Sequence, residues 1–393
     1  MTAPADGAAG AYRSLQLDVF RALAAVFMIV NHSGIQLLWR GGAGDWPATL
    51  VFIGSAAPAL FFFATGVGSG LSAGRAEAVG AMLHKVLLLL LADTLLNWST
   101  GNLLRFDFFG FAAVATLALF LVRRTRHPVA FASLLLVLVL GARFGLVPFV
   151  RGRIPADSVA AFVTGIAPVQ GVSYPLGPWL AFPLMGFLVG RRWRQGVTPE
   201  ELGVVSLVAL LTLAAAAVLA ERGAPVFRWG SVSIAYLLCA VGIIAASWLL
   251  SSGVARWLPA FSRAVALRGA ASLLIVPLHY GILGLLEELG PSAWSPAVWL
   301  ATTVVLAGAV LLASRAVIAW ARRLAVPGLP AQALIAGVAC VAAFAALLLA
   351  SPLVRLEVAS LGEVVIGGLL LWSGRTVARK PGMDPRRGSA GLP

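Results

Sequence analysis

Long apolar runs follow one another through almost the whole chain, and they restrict it to very few folds. They fall at residues 15–38, 48–71, 81–97, 104–122, 128–147, 172–190, 201–220, 230–250, 268–288, 296–317, 332–353 and 359–373. A helix needs about 20 apolar residues to cross the hydrocarbon, where backbone groups find no partner outside their own helix. The expected fold is therefore an all-α integral membrane protein, a polytopic bundle of about 11–12 transmembrane helices. Composition excludes the soluble alternative: only 11% of residues are charged and mean hydropathy is +0.94, whereas soluble domains carry roughly 25% charged residues. The first run is too long for a cleavable signal peptide and lacks an A-x-A-like exit. Cys239 and Cys340 both lie within apolar runs, which argues against a disulfide scaffold or a zinc site.

The basic residues orient these runs. With the N-terminus in the cytoplasm, twenty Arg and Lys fall in cytoplasmic segments and eight in external ones, alternating at nearly every loop. That asymmetry is the positive-inside pattern. It accounts for the net charge of +14 without nucleic acid, since no single patch concentrates the charge. The reading gives a cytoplasmic tail over 1–12, a transmembrane domain over 13–373 and a basic cytoplasmic tail over 374–393. A multi-pass protein of the inner (plasma) membrane is expected. The long external segment from Arg143 to Gly171 reads equally as a connector or as a lid over an acceptor.

Ionisable residues inside the spans carry the functional information, because each costs roughly 2.5–3.5 kcal/mol on insertion scales and usually faces a partner or cavity. They are Asp18, Arg21, His32, Asp93, Asp107, His279 and Glu363. His84 and His127 read as interfacial. Arg21 and His32 are eleven residues apart, which places them about 20° from one azimuth and about 16 Å apart along a helix. Asp18 lies one turn before Arg21 and can pair with it. Ala25 and Met28 lie between on the same face, and Gln36 lies beyond. Asn31 flanks His32. In "GAASLLIVPLHYGILGLL", Pro277 is expected to loosen the helix beside His279. Asp107 with Arg105 reads as an interfacial ion pair, and Asp93 with Asn97 as a polar pair one turn apart.

Four stretches carry a resemblance. "LDVFRALAAVFMIVNH" has a Leu-Asp-x-x-Arg start and an Arg-ten residues-His spacing that resemble the opening helix of acyltransferase family 3. "APALFFFATGVGSGL" looks like the second helix of the same membrane-bound acyltransferase superfamily. "YPLGPWLAFPLMGFLVGR", with Trp179, looks like the Pro-Trp helix of its heparan-alpha-glucosaminide N-acetyltransferase-like branch. "LRGAASLLIVPLHYGIL" looks like a late Gly-x-x-Ser-Leu-hydrophobic-His helix. Ala22 stands where the family usually has Gly, and Val276 where it often has Tyr. The Pro-Trp helix favours the second branch.

The resemblance implies acyl transfer from a cytosolic donor, commonly acetyl-CoA, to a sugar hydroxyl or amine across the membrane. It also implies that His32 and Arg21 carry the activity. On that basis His32 is the expected base or acyl carrier, since imidazole accepts protons near neutral pH. Arg21 suits the phosphates or carbonyl of a donor lying along the helix. Asp18, Asn31, His279 and Trp179 are the expected substrate-binding residues, with Ser33 a further hydrogen-bond donor. Acetyl-CoA or another acyl-CoA is the expected co-substrate, and no resident cofactor or metal is expected. The expected partners are membrane lipids, the acyl donor and a carbohydrate or glycolipid acceptor, with a homodimer among the assemblies such a bundle forms. A proton-coupled transporter or a lipid-linked-sugar flippase also fits twelve spans with buried carboxylates and histidines. No internal repeat supports that alternative.

Overall fold

A computed structural model describes residues 6–38, 45–72, 77–99, 105–150, 153–155, 158–165, 172–194, 198–226, 232–267, 269–289, 294–323 and 362. The described chain is helical, with one isolated bridge joining Phe106 and Val172. Helix α1 (Asp6–Ser33) runs into a π-helical turn, Gly34–Leu38. It is followed by α2 (Asp45–Gly54), α3 (Ala57–Ser72), α4 (Val79–Ser99) and α5 (Phe108–Arg124). Next come α6 (Pro128–Leu140), α7 (Val147–Val150), α8 (Val159–Thr164), α9 (Leu176–Trp179) and α10 (Ala181–Trp193). The described part closes with α11 (Pro199–Glu221), α12 (Ile234–Trp257), α13 (Pro259–Val265), α14 (Ile275–Leu289) and α15 (Pro296–Arg323).

Seven helices among the described residues are long and apolar enough to cross a membrane, so the chain is an all-α polytopic membrane protein. The expected spans at 332–353 and 359–373, with Glu363 and Cys340, lie outside the described residues. Only Gly362 is described there, and a Cβ on it would stand 3.3 Å from the Leu95 side chain.

Three expected spans are not single rods, among them 172–190, which opens on the Val172 bridge and the short α9 before α10. Residues 48–71 divide into α2 and α3 at a tightened turn, where Ser55 N–H bonds Phe52 O and Ala56 N–H bonds Ile53 O. Pro58 begins the next helix, where its missing N–H costs nothing. Residues 268–288 divide into a 3-10 turn, Gly269–Leu274, and α14. Pro277 thus sits in the first turn of α14. It does not loosen a continuous helix, because first-turn N–H groups have no intrahelical acceptor to lose.

The core of the bundle is set by close approach of α3 and α10. Gly66 and Gly70 on α3 face Gly186 and Gly190 on α10. A Cβ on Gly66 would stand 2.0 Å from Pro183 O, and one on Gly186 2.0 Å from Phe63 O. Between apolar helices in lipid, hydrophobicity gives no preference for protein contact, so small residues that admit backbone packing select the pair. By contrast, α6 and α11 are largely exposed, with Leu134, Val137, Leu207 and Leu210 on their outer surfaces. Such faces suit acyl chains.

Polar contacts between loops agree with the alternation of basic residues. Glu77 meets both Lys85 and Arg123, gathering the starts and ends of α3, α4 and α5 on one side. Arg192 pairs with Glu201, Arg315 donates to Ala264 O, and Leu267 N–H donates to Asp18 O on segments of that same side. Opposite, Arg105 donates to Ser173 and Arg143 to Val232 O. Every pair joins segments that the charge pattern assigns to one face.

The long segment after Arg143 is not bare loop. It holds α7 and α8, the latter capped by Ser158, whose Oγ accepts from Ala161 N–H at 3.1 Å. It ends at Gly165, whose φ of +65° and proximity to Gly177 O exclude a side chain.

Candidate active site

Helix α1 carries Gln16, Asp18, Arg21, Asn31, His32 and Ser33 through an otherwise apolar core, and each is held by a neighbouring group. Gln16 donates to Trp248 O on α12. Arg21 pairs with Asp18 at 2.8 Å, and the pair is largely enclosed. Its guanidinium passes beside Gly68 of α3, where an added Cβ would stand 3.1 Å from it. Between Arg21 and His32, Ala25 and Met28 are buried in the apolar core. The shared face is therefore packed along its middle by Ala25 and Met28.

At the other end of α1, His32 meets α14. Its Nδ1 lies 2.7 Å from His279 Nε2, with the ring planes 19° apart and the centroids 4.9 Å apart. His279 is fully buried, and its Nδ1 lies 2.6 Å from Ile275 O, one turn earlier. Tyr280 stacks on His32 at 4.8 Å and brings its hydroxyl to 3.4 Å from His32 Nε2. Three rings from two helices therefore form one cluster. Sequence reasoning singled out both histidines but missed Tyr280. The only available signal was its place directly after His279.

The residues beside His32 are anchored away from it. Asn31 donates to Val51 O at 2.7 Å and so ties α1 to α2. Ser33 accepts from Trp299 Nε1–H at 3.1 Å and lies 2.9 Å from Thr303 Oγ1, tying α1 to α15. These flanking bonds hold the backbone that aims His32. Trp179 belongs to a different group, an aromatic core formed with Phe62, Tyr174, Phe182 and Tyr236. It is fully buried, and its indole N–H meets no acceptor among the described residues.

A second polar cluster occupies the side of the bundle where Arg105 lies. Asp93 Oδ2 accepts from Asn97 and from Asp107 N–H, while Asp107 caps α5 and pairs with Arg105. The interfacial ion pair and the one-turn Asp93–Asn97 pair expected from sequence thus form one network. Ser173, held by Arg105, precedes Tyr174, which packs against Trp179.

A polytopic bundle with an imidazole pair where its first helix meets α14 defines an integral membrane protein with a candidate catalytic centre between two helices. Comparison with known families makes this specific. The model of the heparan-alpha-glucosaminide N-acetyltransferase catalytic domain matches residues 13–227, more than half of the chain, and the chain belongs to that family. The match favours the branch that the Pro-Trp helix indicated. It includes Asp18, Arg21, His32 and Trp179 and stops short of His279 and Tyr280. Comparisons with curated proteins and with solved structures gave no match.

Proposed function

We propose that the protein transfers an acetyl group from acetyl-CoA, bound from the cytoplasmic side, to a sugar hydroxyl or amine at the opposite face. The observation that carries this reading is the His32–His279 contact inside a bundle of the acetyltransferase family. Arg21 and His32 mark the two ends of the path: a guanidinium for the donor's phosphates or thioester carbonyl, and an imidazole for the chemistry. His32 takes the proton of the acceptor as that atom attacks the thioester carbonyl. The tetrahedral intermediate then expels the CoA thiolate, which recovers the proton from the imidazolium. The same imidazole can instead carry the acetyl group between two displacements. Orientation follows the positive-inside pattern, with Arg21 toward the cytoplasm.

The test is acetyl transfer from labelled acetyl-CoA to glucosamine by the full chain in proteoliposomes. His32→Ala is expected to lose at least ~100-fold in rate, the usual contribution of a positioned base. Unchanged turnover in that variant, at equal protein level, sinks the reading.

A further inference from the structure

The imidazole pair has a direction. Ile275 O can only accept, so the 2.6 Å contact requires His279 Nδ1 to carry a hydrogen. Among the described residues neither ring meets a carboxylate, and both are taken as neutral. A neutral His279 then has its lone pair on Nε2, and the 2.7 Å contact requires His32 Nδ1 to be the donor. The remaining nitrogen, His32 Nε2, keeps its lone pair and faces the Tyr280 hydroxyl at 3.4 Å, long for a hydroxyl donor.

We infer that His279 is a positioning residue that locks His32 into its Nδ1–H tautomer, so that Nε2, on the Tyr280 side, is the nitrogen that reacts. Chain order is Ile275 O, His279, His32, then the reacting atom. A backbone carbonyl at the far end does what a carboxylate does behind many catalytic histidines: it fixes ring orientation and tautomer. When His32 Nε2 gains a proton, its Nδ1–H bond to His279 becomes charge-assisted and shortens. No carboxylate is needed within the apolar core. The Tyr280 hydroxyl stands on the lone-pair side of the ring, within reach of an acceptor that approaches Nε2. The arrangement holds for either proton removal or acetyl carriage, because both use the same lone pair. Its catalytic consequence rests on the acetyl-transfer reading; its tautomer does not.

The test is nitrogen magnetic resonance of the full chain labelled with ¹⁵N-histidine in lipid nanodiscs. The chain has 4 histidines, so His32 and His279 can be assigned by comparison with His32→Ala and His279→Leu. The expected wild-type spectrum at neutral pH has both rings protonated on Nδ1. His279→Leu should release His32 into a tautomer mixture, lower kcat for acetyl-CoA and glucosamine by about 10-fold or more, and leave KM near its wild-type value. In His279→Gln the amide oxygen reaches the place of Nε2, accepts from His32 Nδ1–H, and should restore both tautomer and rate. A wild-type His32 protonated on Nε2, or His279→Leu with an unchanged His32 spectrum, overturns the inference. These readouts need no turnover, so they separate its failure from failure of the acetyltransferase reading, which His32→Ala activity decides.

Discussion

His32 and His279, 247 residues apart in sequence, stand with Nδ1 and Nε2 at 2.7 Å. The contact joins the first membrane helix to α14 at the proposed reaction centre. Everything adjacent serves to hold that distance: Asn31 on α2, and Ser33 on Trp299 and Thr303 of α15.

Tyr280→Phe removes only the hydroxyl facing His32 Nε2 and keeps the stacked ring. A neutral hydrogen bond is worth about 0.5–1.5 kcal/mol. The expected loss in kcat is accordingly about 3- to 10-fold, with normal yield of folded protein. Steady-state acetyl transfer to glucosamine checks it, and an unchanged rate removes Tyr280 from the site.

Arg21→Ala should raise KM for acetyl-CoA more than it lowers kcat, since Arg21 lies about 16 Å from His32 along α1. It also leaves Asp18 without its 2.8 Å partner in an enclosed position, so the variant should be less heat-stable. Asp18→Asn/Arg21→Ala should regain part of that stability while its KM stays high. Donor titrations and thermal unfolding of the two variants separate binding from folding.

Asn31→Ala tests whether Asn31 ties helices or touches substrate. Its amide donates to Val51 O within the core. Losing it strands a buried carbonyl, at about 1–3 kcal/mol. The unfolding temperature should fall while KM for glucosamine stays within about twofold of wild type. A large change in KM with unaltered unfolding would place Asn31 in the acceptor site.

Gly186→Leu should separate α3 from α10, because a Cβ there already meets Phe63 O at 2.0 Å. Overpacking of this kind costs about 1–3 kcal/mol, and more where backbone must move. Heat-induced aggregation in detergent should begin at lower temperature than for Gly203→Leu, a position with open space around it.

Sequence carried some of these relationships and concealed others. Many span positions were legible because lipid demands long apolar helices. His32 and Arg21 stood out as costly residues on one helix. The meeting of His32 with His279 did not, since no periodicity reports a contact between helices so far apart in the chain. Tyr280 was hidden by its neighbour, as successive helix residues diverge by about 100°. The Gly66–Gly70 and Gly186–Gly190 spacings were visible but blended into a chain with 42 glycines. Asn31 stood beside His32 and invited a substrate-binding role, and no periodicity reports its bond to Val51 O.

The most direct test is mass spectrometry of cell-envelope glycans from cells carrying the wild-type chain, the His32→Ala chain or neither, with membrane levels matched. The account predicts an acetylated glycan present only with the wild-type chain and absent from both others. Equal acetylation with the His32→Ala chain would contradict it.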